Sequence, residues 1–259
     1  MIKKKYKYIY GPVSSWRLGS SLGIDPISKK RKICSFDCIY CQIGKTGLLT
    51  DKRECFVDTN DIIREIKSLP SSLTIDYITF SGRGEPTLSA NLGEMIQAVK
   101  QITKQKIAVI TNSSLLYKEE VQKDLLLADF IIAKLDAPRQ DVLETINHPI
   151  KKINFKLILS GIKAFKEIFK SRLALQIMFI EQNKAYAKDI AEIVKKICPD
   201  EVQINTPLRP SLVSPLSKSE IDLIESYFDG LKISSPYKVK KKNIQPLSDE
   251  DTLRRRGKI

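Results

Sequence analysis

The stretch Ile75-Asp76-Tyr77-Ile78-Thr79-Phe80-Ser81-Gly82-Arg83-Gly84-Glu85-Pro86 joins an apolar run to a short turn that carries two glycines. The run predicts a buried strand, because its β-branched and aromatic residues suit an extended backbone. The turn ends that pattern abruptly, since glycine and proline interrupt regular structure. The stretch therefore predicts a strand that runs into a polar turn.

The same arrangement of strand and turn recurs along the chain, with helical stripes of apolar residues between the strands. The predicted strands are residues 7–10, 75–80, 106–110, 130–134, 173–179 and 201–205. About six alternations of strand and helix favour a parallel sheet with helices outside it. Because six units are two short of a closed eightfold barrel, we predict an α/β fold, a partial (β/α)6 TIM-like barrel of parallel strands with outer helices.

Short polar motifs follow three of these strands. They are Ser81-Gly82-Arg83-Gly84-Glu85-Pro86, Thr111-Asn112-Ser113-Ser114 and Asp136-Ala137-Pro138. Ligands of parallel sheets bind at the carboxyl ends of the strands, so these motifs are where a shared site would lie. The alternative is ordinary turn chemistry, because the same residue types dominate turns in general.

A loop with three cysteines lies between the first predicted strand and the first predicted helix. Its sequence, Cys34-Ser35-Phe36-Asp37-Cys38-Ile39-Tyr40-Cys41, has C-x3-C-x2-C spacing. Three thiolates so close together favour a soft metal centre. Zinc usually takes four ligands from two separated pairs, whereas a [4Fe–4S] cluster on three thiolates keeps one iron open for another ligand. The spacing favours a catalytic cluster, with zinc or unpaired buried thiols as the alternatives.

Composition excludes several classes of protein. The chain has 259 residues, a formal charge of +14, 42% hydrophobic residues and five cysteines. It is long enough to bury a core, too apolar for a disordered chain and too poor in cysteine for a disulfide scaffold. No stretch approaches the roughly 20 apolar residues of a membrane span, and the basic start lacks the apolar run of a signal peptide. We therefore expect a cytoplasmic protein with no membrane partner.

The barrel pattern covers most of the chain and then decays. We predict one barrel over residues 1–233, with the cysteine loop at 34–41, and a basic tail over 234–259 that is irregular or partly ordered. The basic residues of this tail are Lys238, Lys240, Lys241, Lys242, Arg254, Arg255 and Arg256. The pattern predicts no particular oligomeric state.

The cysteine spacing, with Tyr40 directly before Cys41, and the motif from Gly82 to Glu85 together resemble the radical S-adenosylmethionine (SAM) superfamily. The resemblance implies a [4Fe–4S] cluster on the three cysteines, Cys34, Cys38 and Cys41, with SAM chelated to the open iron. It implies an enzyme in which the reduced cluster cleaves SAM to methionine and a 5′-deoxyadenosyl radical that abstracts hydrogen from the substrate. It also implies an electron donor such as flavodoxin or ferredoxin.

The resemblance further implies which residues contact SAM. Gly82, Gly84 and Glu85 match the motif that holds the SAM amino group, because a carboxylate pairs with an ammonium. The remaining implied contacts are Thr111, Asn112 and Ser113 as polar contacts, Asp136 for the ribose hydroxyls and Tyr40 near the adenine. In the alternative interpretation, Thr111 and Asn112 only cap the following helix.

The catalytic residue is unknown from sequence, and three residues are weak candidates. Lys134 could contact the SAM carboxylate or substrate, His148 could face the substrate, and Cys55 could be a hydrogen donor. A lone His in a loop is more often incidental, and a free Cys usually behaves as a small hydrophobe. Arg17 and Arg209 could bind an anion through both guanidinium nitrogens.

Two further stretches resemble a subgroup of the superfamily grouped with the tRNA wyosine-synthesising enzymes. They begin at Gly11-Pro12-Val13-Ser14-Ser15-Trp16-Arg17 and Val202-Gln203-Ile204-Asn205. Those enzymes carry a second cluster on upstream cysteines, and this chain has none before Cys34. Together with a basic charge typical of nucleic-acid binders, the resemblance favours RNA modification. A small molecule or protein partner as substrate, and a non-enzymatic zinc-binding interaction protein, stay as alternatives.

Overall fold

The structure is a computed structural model that describes residues 6–239 and 243–256. Its strands are β1 (Ile9–Ser15), β2 (Gly19–Ile24), β3 (Ile33–Cys34), β4 (Leu48–Leu49), β5 (Tyr77–Phe80), β6 (Lys106–Thr111), β7 (Phe130–Lys134), β8 (Arg172–Met178), β9 (Glu201–Asn205) and β10 (Ile233–Ser234). Its α-helices are α1 (Thr59–Lys67), α2 (Leu92–Ile102), α3 (Glu119–Leu125), α4 (Gln140–Asn147), α5 (Phe155–Ile168), α6 (Ala187–Ile197), α7 (Lys218–Ser226) and α8 (Asp249–Arg256).

Eight strands form one curled sheet in the order β1-β2-β5-β6-β7-β8-β9-β10. The six central strands, β2 and β5 to β9, are all parallel, while β1 pairs antiparallel with β2 at one edge. The short strand β10 adds to the other edge in parallel. The predicted partial barrel of six parallel strands is therefore confirmed, and both of its edges carry an additional strand.

The first parallel strand differs from the prediction. Residues 7–10 do not supply it; β1 begins at Ile9 and returns through a tight hairpin into β2, which pairs with β5. The sequence pattern missed β2 because it opens with Gly19, Ser20 and Ser21 rather than with apolar residues. The buried Ser21 hydroxyl lies 2.7 Å from the Thr79 hydroxyl on β5, so polar pairing replaces apolar packing there.

The helices cover the outer face of the sheet, and a smaller cluster fills the inner face. Ile62 of α1, Met95 of α2 and Ile190 of α6 are fully buried in the outer core. Each such side chain contributes about 1.5–3 kcal/mol by leaving water. The inner cluster consists of Leu18, Ala108, Phe130, Ile132 and Ala174. It fills part of the barrel's concave interior, near the amino ends of several parallel strands.

Within the tail predicted to be irregular or partly ordered, residues 249–256 form helix α8 against β1. Arg255 is 3% exposed and lies 3.7 Å from the buried carboxylate of Asp25. The Thr252 hydroxyl accepts from the Gly11 N–H at 3.1 Å. The sequence hid this helix because ion pairs and hydrogen bonds, rather than an apolar stripe, attach it to the barrel.

Three basic residues predicted in the tail, Lys240, Lys241 and Lys242, lie outside the described residues. In the part of the chain that the structure describes, no helix has the length and apolar character that crossing a membrane requires.

Candidate functional site

The cysteine loop, residues 34–41, leaves the carboxyl end of β2 and begins at the short strand β3. Cys34 is buried, whereas Cys38 and Cys41 are partly exposed. Burial raises the pKa of the Cys34 thiol, and it raises the pKa of Cys38 to about 11. These two sulfurs are therefore protonated at neutral pH unless a metal replaces the proton.

Each of the three sulfurs lies within hydrogen-bonding distance of a different side-chain nitrogen. Asn112 Nδ2 is 3.6 Å from Cys34 Sγ, and Asn147 Nδ2 is 3.3 Å from Cys38 Sγ. Lys32 Nζ is 3.1 Å from Cys41 Sγ. Hydrogen bonds to ligating sulfurs stabilise thiolates and set the reduction potential of iron–sulfur clusters. The loop is therefore built to hold three charged sulfurs.

Lys32 is the cationic member of this set, and it is only 5% exposed. Burial disfavours its ammonium form, but negative charge on the sulfurs of Cys41, Cys34 and Cys38, when they are deprotonated, outweighs that effect and raises the pKa of Lys32. Its Nζ also donates to the Gly44 carbonyl at 3.0 Å. A buried ammonium fixed beside the sulfurs offsets part of the negative charge that the cluster loop would carry.

The donor set fits an iron–sulfur cluster. Three Cys sulfurs with N–H partners are the ligand chemistry of such clusters, in which each thiolate binds a different iron. Among residues 6–239 and 243–256, no three His, Cys, Asp or Glu side chains are placed to share a single metal ion. A cluster does not need that placement, because each cysteine would ligate a different iron.

The glycine turn, residues 82–85, packs directly against the start of the cysteine loop. Ile33 N–H donates to the Arg83 carbonyl, and Glu85 N–H donates to the Ile33 carbonyl, both at 3.2 Å. A β-carbon on Gly84 would lie 1.8 Å from that same Ile33 carbonyl oxygen, so only glycine fits. Gly82 has a φ of +137°, which also favours glycine. The turn therefore fixes the position of Cys34.

Glu85 binds partners within the protein. Its carboxylate accepts from the Thr111 hydroxyl and from the Asn112 N–H, each at 2.7 Å, and from the Thr87 hydroxyl at 2.7 Å. Burial raises the pKa of Glu85, and these hydrogen bonds oppose the shift. Glu85 thus joins the glycine turn to the end of β6. Thr111 and Asn112 face the turn and the cysteine loop in this structure.

Asp136 has a similar connecting role on the other side of the loop. The Tyr40 hydroxyl donates to its carboxylate, which also accepts from Asn147 Nδ2 at 2.9 Å and from the Met178 N–H at 2.8 Å. Lys134 Nζ lies 3.1 Å from the same carboxylate. Asp136 therefore connects the cysteine loop to β7 and β8, the strands beneath it.

A cavity of about 320 Å³ opens inside the half-barrel next to Cys41, and we call it the central cavity. Five residues predicted to contact SAM or an anionic substrate line it, namely Tyr40, Gly82, Lys134, Arg17 and Arg209. Gly84, Glu85, Thr111, Asn112, Ser113 and Asp136 lie behind that lining, next to the loop. Ser113 adopts φ +68°, and its hydroxyl has no hydrogen-bond partner in the described part of the chain.

Two weak catalytic candidates lie elsewhere. The His148 side chain is exposed, and the residue ends α4 in a left-handed conformation with φ +41°. Cys55 is exposed in the segment before α1. Neither lines the central cavity. Lys134 does, with its ammonium 5.1 Å from the centre of the Tyr40 ring.

Sequence reasoning missed several residues of the site. Asn147 was overlooked because it ends a helix, α4, whose short apolar pattern was not recognised. Lys32 belongs to the basic run Lys29-Lys30-Arg31-Lys32, and nothing in the sequence shows which lysine of that run turns inward. Arg256 lies in the tail predicted to be irregular or partly ordered, and in the structure it lines the central cavity. Its position depends on the packing of α8 against β1.

Comparison with known proteins identifies the family of this fold and site. The family description "Radical SAM superfamily" matches residues 31–194. A UPF0026 protein of Synechocystis is 43% identical over 203 residues, which cover 78% of this chain and 76% of that protein. A protein of Brachyspira hyodysenteriae named GTPase Obg is 38% identical over 97% of this chain, which spans only 38% of the length of that relative.

A solved structure shows the same fold. SuiB of Streptococcus suis, bound to S-adenosylmethionine, superposes with a TM-score of 0.61 at 12% identity. The superposition covers 80% of this chain and 48% of SuiB. It supports the half-barrel architecture, while membership of the predicted wyosine-synthesising subgroup stays a prediction.

Proposed function

This chain belongs to the radical SAM superfamily and to the UPF0026 proteins, and from that premise we propose the reaction that its central cavity performs. The protein is an enzyme of the radical SAM type, with a [4Fe–4S] cluster and SAM as cofactors. We propose that it cleaves SAM reductively and abstracts a hydrogen atom from a substrate held in the central cavity. The carrying observation is three cysteine sulfurs, each with its own N–H partner, beside that cavity.

The cofactors would supply one electron and a 5′-deoxyadenosyl radical that takes hydrogen from a carbon of the substrate. The protein's own residues hold the parts in place. Cys34, Cys38 and Cys41 would ligate the cluster, and Tyr40 and Lys134 border the space next to it. Glu85 and Asp136 keep the loop in register with β6, β7 and β8. A preorganised frame of this kind limits the movement of reacting groups.

We propose that the predicted SAM contacts divide into two groups. Gly82, Tyr40 and Lys134 would touch SAM directly, because they line the cavity. Gly84, Glu85, Thr111, Asn112, Ser113 and Asp136 would act mainly by holding the cavity wall. A direct test is SAM affinity by equilibrium dialysis: Lys134→Met should weaken SAM binding in the cluster-loaded protein more than Thr111→Val does.

The reaction is tested by anaerobic reconstitution with iron and sulfide. We expect about four irons per chain and dithionite-dependent release of 5′-deoxyadenosine. Cys38→Ala should abolish both, because it removes one of the three ligands. Cys198→Ser is the matched control, since Cys198 is exposed at the end of α6 and should leave both unchanged. Binding of zinc without SAM cleavage would contradict the proposal and favour the non-enzymatic alternative.

Superfamily enzymes need an external reductant, and we propose that a flavodoxin or a ferredoxin serves here. Both are small electron carriers that can dock on a basic protein, and this chain carries a formal charge of +14. Replacing dithionite by either carrier with its reductase should sustain SAM cleavage, with a rate that falls as salt increases. Equal rates at all salt concentrations would contradict electrostatic docking.

RNA is the second candidate substrate, and the net charge of +14 is the observation that favours it. Phosphate contacts give a binding constant that falls steeply with salt. A bulk tRNA preparation should therefore bind at low ionic strength and dissociate as salt rises. If no binding occurs even at low ionic strength, RNA modification is excluded and a substrate small enough to enter the cavity remains.

A further inference from the structure

Four arginines line the central cavity; Arg255 pairs with Asp25, and the other three come from three separate parts of the chain. Arg17 comes from the hairpin turn between β1 and β2, and Arg209 follows β9. Arg256 is the last residue of α8. We call this set the arginine triad. Because the three elements are distant in sequence, the convergence is a property of the fold and not of one basic run.

Among residues 6–239 and 243–256, no carboxylate forms an ion pair with the three guanidinium groups of the triad. Burial, together with repulsion from Arg209 and Arg256, lowers the pKa of Arg17 to about 10. Burial followed by repulsion from Arg256 also lowers the pKa of Arg209 to about 10. Arg17 Nε is buried and has no hydrogen-bond partner among residues 6–239 and 243–256. Unpaired buried charge destabilises a fold unless a ligand compensates it.

The acidic groups nearest the triad have other partners. Glu201 acts on Arg17 electrostatically, but its carboxylate accepts from Arg172 and, at 3.1 Å, from Gln203. Asp25 pairs with Arg255, the fourth arginine of the cavity lining, at 3.7 Å. Two neutral groups contact the triad. The Trp16 ring lies 4.9 Å from the Arg17 guanidinium, and the Arg256 carbonyl accepts a hydrogen bond from the Arg209 guanidinium.

A guanidinium fork matches the oxygens of phosphate and carboxylate. Three forks in one cavity match a group with two or three negative charges better than a single carboxylate. The cavity lies inside the barrel, with α8 against the β1 edge, so its occupant must be compact. From this geometry we propose that the arginine triad binds the phosphate of a small phosphorylated substrate. The inference rests on the proposed function and names the substrate class of the same site.

The test uses inorganic pyrophosphate as probe and the cluster-loaded, SAM-saturated protein in anaerobic calorimetry. We expect pyrophosphate to bind, and Arg17→Gln and Arg256→Gln each to weaken binding at least about tenfold, the worth of one charge-assisted contact. Arg254→Gln is the matched control. It lies on the same helix but pairs with Asp251 outside the cavity, so its affinity should equal the wild-type value. Absence of binding, or equal weakening by the control, would overturn the proposal.

The SAM carboxylate and RNA phosphates are the two other anions that the triad would accommodate, and competition experiments on the same cluster-loaded protein distinguish them from a substrate phosphate. If the triad holds the SAM carboxylate, pyrophosphate and SAM compete in the wild-type protein; simultaneous binding of both supports the substrate phosphate. If the triad holds RNA phosphates, Arg17→Gln weakens tRNA binding while pyrophosphate does not bind at all. Either competition with SAM or exclusive RNA binding would overturn the proposal.

Failure of this inference is distinguishable from failure of the proposed function. Pyrophosphate binding requires no electron transfer, whereas release of 5′-deoxyadenosine requires no phosphate. Binding without SAM cleavage would remove the radical reaction and leave the anion site. SAM cleavage without pyrophosphate binding would remove the anion site and leave the reaction.

Discussion

The cysteine loop and the arginine triad border the same cavity, but they differ in how completely the protein satisfies them. Around the loop, the sulfurs of Cys34, Cys38 and Cys41 each have a nitrogen partner. The carboxylates behind it, Glu85 and Asp136, accept several hydrogen bonds each. In the triad, the guanidinium groups repel one another and Arg17 Nε has no partner in the described chain.

The difference separates residues that build the site from residues that await a ligand. A buried network with matched partners is rigid and contributes to stability, whereas an unmatched buried charge reduces it. Natural active sites often retain such destabilising groups because function needs them. We therefore interpret the cysteine loop as a rigid part of the cavity wall, and the arginine triad as the part whose charge the substrate neutralises.

The largest effect is expected at the buried ion pair between Asp25 and Arg255. Arg255→Met leaves Asp25 buried without its cation, which should cost about 3 kcal/mol of unfolding free energy. Burial raises the pKa of Asp25, and losing Arg255 raises it further. When a carboxyl has a higher pKa in the folded state than in the unfolded state, the free energy of unfolding decreases as pH rises above the pKa of the unfolded state. Chemical denaturation should therefore show a greater loss at pH 8 than at pH 5.

The control for this change is Arg254→Met on the same helix. The Arg254 guanidinium is exposed, and its buried partner Asp251 keeps Arg255 as a second cation at 3.8 Å, so the loss should cost only about 1 kcal/mol. A loss as large as that of Arg255→Met would show that any charge removed from α8 destabilises the barrel, and the matched pair would have no special role.

A smaller effect is expected from the glycine turn. Gly84→Ala places a β-carbon against the Ile33 carbonyl, which must move, at a cost of about 1–3 kcal/mol. Because Ile33 precedes Cys34, the variant should also retain fewer irons after reconstitution. Gly230→Ala is the control: its φ of +83° also disfavours alanine, but nothing lies within 4 Å of the added carbon, and the residue stands between α7 and β10. Full iron retention by Gly84→Ala would contradict the proposed coupling.

Lys32→Met tests the cationic partner of the loop. Loss of the ammonium at 3.1 Å from Cys41 Sγ removes a charge that favours the reduced, more negative cluster. The reduction potential should fall by on the order of 50 mV, about 1 kcal/mol in a one-electron couple, in an EPR-monitored titration. Lys30→Met is the control, since Lys30 is exposed in the same basic run. An equal shift in both variants would indicate a long-range charge effect.

The half-barrel was predictable because its strands repeat a pattern. Strands β7 and β9 match the predicted residues 130–134 and 201–205 because each is a continuous run buried on both faces. Strand β2 was missed because serine hydroxyls pair within it, and α8 was missed because its contacts are polar. Periodicity detects apolar burial, so elements held by polar pairs escape it.

The site was predictable to the extent that it is local in sequence. The cysteines and the glycine turn each lie within a few residues, so their chemistry is visible in the chain. The arginine triad is not local: Arg17 and Arg256 come together only through the hairpin and α8. Which nitrogen faces which sulfur is likewise decided by strand order. The resemblance implies that Glu85 and Asp136 contact SAM, whereas their hydrogen bonds to Thr111, Asn112 and Met178 depend on how the strands are arranged and are not visible in the sequence.

The smallest expected effect is on the free energy of unfolding of Arg17→Met, which should stay unchanged or increase rather than decrease. Arg17→Met removes a buried charge without orphaning a partner, so the ligand-free variant should be as stable as the wild type, or up to about 1 kcal/mol more stable. Added pyrophosphate should then raise the melting temperature of the wild type, because binding to the folded state stabilises it, and leave that of the variant unchanged. If Arg17→Met were as destabilising as Arg255→Met, the triad would be a matched structural network like the loop. Thermal unfolding of both variants, with and without pyrophosphate, separates a site completed by substrate from one completed by the chain.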